Sequence, residues 1–314
     1  MVRAPYGPND AKVLDDSTVA YWSSGEGRYK ILGLDGRLIR NVGVVGWWTD
    51  LHELQRLSNG DYLVEAYVPR NNVDLSPFGG PRNTQVLDDL IQEVTPLGAV
   101  VWSWDSGDHI GLDQTPQRWY DALFQGGPPY DIVHLNSVEA HGDEIVVSMR
   151  RTDAVWAISK RTGNVLWKLG GVHSDKSLAV YGDPQAAYPF GGQHDARFLP
   201  DGTLTVHDNN TGLAPALRAV RYRIDERLRT ARLIEAVSDP QVPFSFCCGS
   251  ARRLDDGSWI ASWGSQPVVA GYSPSGARTF ALVFSGVFSY RANPVPRTVS
   301  TQALRSGMDA QYPR

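Results

Sequence analysis

Cysteine is almost absent. The 314 residues hold two, and they are adjacent, Cys247-Cys248. Neighbouring thiolates without further cysteines or a spaced histidine pair do not make a tetrahedral set, which excludes a structural zinc site on them. They read as free thiols or as a vicinal disulfide. The bridge is the strained option, because adjacent Cα atoms lie about 3.8 Å apart, below the usual disulfide span. Long apolar runs are missing too, so no membrane span is expected. No basic stripe or tail accompanies the net charge of −4, and no nucleic-acid partner is expected. The first residues, Met1-Val-Arg-Ala-Pro-Tyr-Gly7, lack the apolar core of a signal peptide. A sustained helical period is lacking as well, apart from a helical turn around Gln117–Phe124.

What is present is a repeat. Ten tryptophans, 13 tyrosines and 31 glycines sit among Asn-Gly and Asp-Gly turns, the composition of many short strands. One class of segment reads strand, turn, strand: Leu57–Val64, Glu139–Val146, Leu199–Val206 and Leu254–Ala261, with Val13–Ala20 as a degenerate fifth. A second hairpin follows each: Tyr29–Ile39, Ile91–Trp102, Val155–Trp167, Val220–Ile234 and Val269–Leu282. Two hairpins make a four-stranded antiparallel sheet, and a unit of that size is a propeller blade. The expectation is an all-β, single-domain β-propeller spanning residues 1–314. Five units are counted directly, and six are favoured if Val287–Val295 joins the N-terminal segment. Inserts at 68–89, 106–131 and 171–192 interrupt the repeats and are expected to form the active-site face, since long inserts in compact folds are usually functional. Their Trp119, Tyr120, Phe124, Tyr130, Tyr181, Tyr188 and Phe190 read as aromatic pocket walls.

The chemistry-bearing signal is an offset. His52, His134 and His194 each precede a turn glycine (Gly60, Gly142 and Gly202) by eight residues. Equivalent first-strand positions of a propeller converge on its axis. In the hairpin centred on Gly142, Arg150 falls opposite His134, and Asn136 should share its face. By the same arithmetic Gly249 takes the position in the Cys-Cys-Gly unit, leaving room. His109 and His173 lie in inserts and could touch a ligand; His141 is a turn residue; His207 supports the site. Three imidazoles could bind zinc or manganese with an open position. The arginine favours an anion with planar or tetrahedral oxygens, and with no other nucleophile evident an imidazole could attack a sulfuryl or phosphoryl centre.

Several runs carry a family resemblance: Thr49–Gln55, Asp74–Gly80, His134–Val138, Val165–Gly171, Gln193–Leu199, Trp263–Pro267 and Ser289–Ala292. Taken in order, they resemble the arylsulfotransferases, the bacterial PAPS-independent aryl sulfate sulfotransferases and their shorter actinobacterial and fungal relatives. The resemblance implies a six-bladed propeller that moves a sulfuryl group from an aryl sulfate to a phenol through a sulfohistidine, without a cofactor or metal. By motif, His194 matches the nucleophile, His134, Asn136 and Arg150 the sulfate-binding set, and His52 the remaining active-site histidine. Which of His52 and His134 is the general acid stays open, as does oligomeric state. The expected partners are a small aromatic sulfate donor and a phenolic acceptor. Export to the periplasm or beyond is expected, with a cytoplasmic location left open by the missing signal segment. Two other readings remain: a metal-dependent propeller lyase or hydrolase using the three histidines, and a non-catalytic ligand-binding propeller.

Overall fold

A computed structural model describes residues 8–312, so the N-terminal Met1–Gly7 reading lies outside the described residues. Five sheets follow one another, each built on four antiparallel strands of the β-propeller blade type, and two of them carry an added parallel strand. Blade 1 comprises β1 (Pro8–Val13), β2 (Thr18–Ser23), β3 (Arg28–Gly33) and β4 (Leu38–Val42); blade 2 comprises β5 (Leu54–Arg56), β6 (Tyr62–Val73), β7 (Thr84–Val94) and β8 (Val100–Asp105). A short β9 (Tyr130–Asp131) pairs with β7. Blade 3 is built from β10 (Leu135–His141), β11 (Glu144–Met149), β12 (Ala154–Ser159) and β13 (Val165–Gly170). After β14 (Ala179–Tyr181) come β15 (His194–Phe198), β16 (Thr203–Asp208), β17 (Arg218–Asp225) and β18 (Thr230–Val237), and β14 adds to the outer edge of this blade 4. Blade 5 is β19 (Ser250–Arg253), β20 (Trp259–Ser262), β21 (Val268–Tyr272) and β22 (Arg278–Val283). Two α-helices, α1 (Gln117–Leu123) and α2 (Thr301–Gln311), are described, and neither is long and apolar enough to cross a membrane.

Five blades are therefore what the repeats count directly. The sixth, favoured from Val287–Val295 with the N-terminal segment, does not form among the described residues. The N-terminal segment supplies β1 of blade 1, and 284–299 carries no strand. Pro294 and Pro296 lack the N–H a ladder needs.

The first-hairpin turns show why the repeat was visible. Leu57 donates its N–H to Asp61 O at 2.8 Å, Leu199 to Thr203 O at 2.7 Å and Leu254 to Ser258 O at 2.8 Å. In each, the residue before the glycine caps the chain two residues on, as Asn59 Oδ1 does for Asp61 N at 3.0 Å and Asp256 Oδ1 for Ser258 N at 2.9 Å. Gly60, Gly202 and Gly257 take φ of +91°, +74° and +84°, the left-handed region where a side chain is penalised. The degenerate repeat keeps this turn with Ser17 at φ +64° in place of glycine.

The chain divides into two compact units: residues 1–67, 90–104 and 293–314, and residues 68–89 and 105–292. In the second, Val146, Val155, Trp167 and Leu169 of blade 3 pack with Leu204, Val206, Val220 and Tyr222 of blade 4. Leu217, Ala219 and Val237 of blade 4 do the same with Ala251, Trp259, Trp263 and Tyr272 of blade 5. Each fully buried large side chain there contributes about 1.5–3 kcal/mol relative to exposure.

The inserts differ from expectation in kind. Much of 68–89 is no loop: β6 and β7 run on into it to Val73 and from Thr84, joined through a single 3-10 turn at Ser76–Phe78. Most insert aromatics pack inward. Tyr120 stacks on Phe78 at 4.5 Å, Phe124 meets Tyr130 edge-on at 5.3 Å, and Phe190 joins the core between blades 3 and 4. Tyr181 is half exposed.

Candidate active site

The second unit brings together His134, Asn136, Arg150 and His194. His52 belongs to the first unit, where its Nδ1 hydrogen-bonds to Asp50 Oδ2 and its backbone N–H donates to the same oxygen at 3.1 Å. Asp50, His52 and Glu65 have donor atoms within 4.8 Å of one another and are the group among the described residues whose spacing could hold a metal ion. Neither His134 nor His194 belongs to it.

His194 opens β15 and is 1% exposed. Its Nδ1 faces two acceptors, Gly192 O at 2.9 Å and Asn209 Oδ1 at 2.8 Å. Asn209 is oriented by its own amide donating to Cys248 O at 3.0 Å, so the proton of His194 sits on Nδ1. Nε2 then keeps its lone pair, which accepts the Cys248 N–H at 3.0 Å. Burial, then the charges of Arg150, His134 and His207, hold the imidazole well below the ordinary histidine range, and it is neutral at neutral pH.

Arg150 follows β11 at the start of a 3-10 turn, and its N–H donates to His134 O at 2.8 Å, the cross-strand neighbourhood expected from the hairpin. Its guanidinium lies 4.6 Å over the Trp119 ring and donates Nη2 to Phe246 O at 2.8 Å. The side chain is 9% exposed, and Nε has no hydrogen-bond partner among the described residues. A buried guanidinium with an unspent N–H is suited to an anion.

Asn136 departs from expectation. The register of β10 against β11 shifts between Leu135 and Ser137, so Asn136 is the extra residue of a β-bulge and does not share His134's face. Its Nδ2 donates to Gln193 O at 2.8 Å, and its Oδ1 accepts from Asp195 N at 3.3 Å. The amide brackets the backbone on both sides of His194 and so holds the imidazole in place.

The 246–249 segment is what sequence reasoning missed. Its backbone supplies the carbonyl on Arg150 and the amide on His194. Its one sequence signal was Gly249 at the histidine offset. At φ +104°, a Cβ there would stand 2.5 Å from His207 Nε2 and 2.7 Å from Ser262 O. The Sγ atoms of Cys247 and Cys248 lie 2.7 Å apart, in contact with each other.

His207 pairs across from His194, a position that followed from neither turn arithmetic nor pattern because β15 also carries a register shift. It is fully buried, accepts from Asn209 Nδ2 at 3.4 Å, and its Nδ1 has no partner among the described residues. Burial pushes its pKa down to about 4, against a smaller upward pull from Asp195. An unfolded histidine titrates near 6.5, so between there and about 4 the unfolded chain binds the extra proton. The stability from a neutral His207 is complete above 6.5 and is lost as pH falls toward 4, on the order of 3 kcal/mol. Urea midpoints at pH 7 and pH 4 should therefore fall less in His207→Gln than in the parent; an equal fall would sink this assignment.

His109 and His173 lie exposed on their inserts, and His141 stacks on Phe198 at 4.4 Å at its hairpin end.

Against known proteins, the arylsulfotransferase (ASST) family model matches residues 10–285. No curated protein matches the chain. Among solved structures, a protein of unknown function from Bacteroides caccae is similar at 13% identity and a TM-score of 0.57, covering 91% of this chain and 86% of that one. The β-propeller domain of Cps50 (Swd1) from Myceliophteria thermophila is similar at 12% identity and a TM-score of 0.50, covering 90% and 88%. At such identities the likeness shows the fold alone.

Proposed function

Since the chain belongs to the arylsulfotransferase (ASST) family, we propose that it is an enzyme moving a sulfuryl group from an aryl sulfate to a phenol through a covalent intermediate on His194. The observation that carries this reading is the state of His194: buried, neutral, protonated on Nδ1, with its Nε2 lone pair within the field of Arg150. A neutral imidazole is a nucleophile without a further base, so no Ser/His/Asp constellation is needed.

Nε2 attacks sulfur, the S–O bond to the aryl group breaks, and the phenolate oxygen takes the bonding pair. As the sulfuryl group arrives it displaces the Cys248 N–H from Nε2, and that N–H then faces a sulfuryl oxygen. Arg150 offers its Nε and guanidinium charge to the same oxygens, donors aimed where charge develops. The Nδ1–H bonds to Gly192 O and Asn209 Oδ1 stabilise the ring as it becomes cationic on sulfation. Asn136 acts through the backbone of 193 and 195, as a positioning group. A phenol then attacks the sulfohistidine and the steps reverse.

Intact mass after mixing with a nitrophenyl sulfate and no acceptor tests the proposal: a single sulfuryl increment, mapped to His194 and discharged by added phenol, is expected. Turnover without any adduct under quench would instead indicate direct transfer.

A further inference from the structure

Two histidines of the second unit are wired differently. His194 Nδ1 meets neutral oxygens, whereas His134 Nδ1 lies 2.5 Å from the Asp131 carboxylate. Both partners of that pair are mostly buried, with side-chain exposures of 19% and 15%. The pair is held rigidly. Asp131 ends β9, where Leu87 is its register partner in β7. Its backbone O accepts from Arg151 Nη1, and its Oδ2 lies 3.3 Å from the same nitrogen. Arg151 N–H donates to Val133 O at 2.9 Å, and Leu135 N–H donates to Asp89 Oδ2 at 3.2 Å, pinning the chain on either side of His134. His134 itself takes φ +59°, a backbone state uncommon outside glycine. The turn is thus shaped to bring this imidazole onto this carboxylate.

Resting on the sulfuryl-transfer reading above, we infer that Asp131 is a positioning residue that makes His134 the proton carrier of both half-reactions. A carboxylate on Nδ1 fixes the ring's orientation and stabilises its cationic form, as the aspartate of a catalytic triad does. Proton exchange then falls to Nε2. His134 is tied to the same surroundings as His194: its carbonyl accepts the Arg150 N–H at 2.8 Å, and Asn136, two residues on, bonds the backbone on both sides of His194. In the first half-reaction, imidazolium His134 gives its Nε2 proton to the departing phenolate oxygen while His194 Nε2 bonds to sulfur. An aryl sulfate anion, cationic His134 and neutral His194 become a phenol, neutral His134 and a zwitterionic sulfo-His194. In the second, neutral His134 takes the proton of the acceptor phenol as its oxygen attacks sulfur. His194 leaves neutral, the product carries the sulfate, and His134 is recharged. No outside proton source is consumed over the cycle.

The distinction matters because His52 carries a like partner in Asp50. A leaving-group series separates the two. Single-turnover sulfation of His194 is to be measured with dinitrophenyl, nitrophenyl, phenyl and methylphenyl sulfates. An Asp131→Asn variant should react with the dinitrophenyl donor within about threefold of the parent, since that phenolate departs unaided. With the methylphenyl donor it should lose on the order of 100-fold, the usual contribution of a general acid. His134→Gln should show the same steepened dependence, and the double variant little more. Asp131→Glu, which keeps the carboxylate, should recover part of the loss. A loss equal across the series would reduce Asp131 to a structural residue, and a steepened series in Asp50→Asn but not Asp131→Asn would move the role to His52; either overturns the inference. If the parent forms no adduct on His194 with any donor, the sulfuryl-transfer reading fails first. If Asp131→Asn does not fold, the His134→Gln series and the Asp131→Glu recovery still decide.

Discussion

Replacing His194 with glutamine is expected to abolish the sulfuryl adduct and to lower kcat for aryl sulfate turnover by at least about 10³-fold, the scale on which removal of a covalent nucleophile acts. Glutamine is the better probe than alanine. His194→Ala would leave Asn209 Oδ1 without its donor and the Cys248 N–H without its acceptor in a buried site. Each stranded group costs about 1–3 kcal/mol, so lost activity could follow from lost structure. Glutamine offers an amide to one and a carbonyl to the other while removing the imidazole. Intact mass after exposure to nitrophenyl sulfate, on protein whose melting temperature matches the parent's, is the deciding measurement. A labelled glutamine variant would falsify the nucleophile assignment.

The largest expected effect on stability lies at Asp153, which no sequence motif marked. It is fully buried at φ +51° and its carboxylate ties several elements together. Oδ1 accepts from Arg118 Nη2 at 2.5 Å, Trp119 Nε1 at 3.0 Å and Gly192 N at 2.8 Å. Oδ2 accepts from Arg118 Nε at 3.1 Å and Tyr188 OH at 2.5 Å. Helix α1, the third insert and the turn after Arg150 all meet on it. Asp153→Ala removes the anion and leaves a guanidinium, an indole N–H, a phenol and an amide without their acceptor. Breaking a buried pair in this way costs about 3–5 kcal/mol, a large part of an ordinary domain's 5–15 kcal/mol. Because Trp119 loses its anchor, the surface under Arg150 should loosen too, raising KM for the donor in whatever fraction remains folded. Urea unfolding together with KM at low temperature tests both; unchanged stability would mean the network contributes nothing net. Asp153→Asn, which keeps shape and two acceptor lone pairs, should be milder.

How much of this was legible beforehand varies residue by residue. The hairpin turns were readable because Asn59-Gly60, Asp201-Gly202 and Asp256-Gly257 satisfy their own backbone within four residues, a local matter of φ and Asx capping. The His134–Arg150 neighbourhood agrees with counting from Gly142 because the bulge at Asn136 shifts the register by one; the register nearer the turn would set Arg151 opposite His134. For other residues the bulges defeated the count. One leftover residue turned Asn136 from a ligand-facing group into a bracket on the His194 backbone, and a register shift in β15 set His207 opposite His194. The insert aromatics divide: Trp119 lies against Arg150, whereas Tyr120 stacks on Phe78, and an aromatic ring in a loop looks the same in sequence in either case.

The amino-acid sequence by itself determined the all-β blade pattern, the five countable units, the family and the recurrent histidine position. Each depends on short-range periodicity or on ordered motifs along one chain. Only the tertiary structure decided which nitrogen of His194 holds the lone pair, that Cys248 caps it, that Arg150 is stacked on Trp119 with an unspent N–H, and that Asp131 and Asp153 anchor the surroundings. Those contacts join residues that are mostly tens of positions apart through single hydrogen bonds, and a single hydrogen bond imposes no period that a sequence could display.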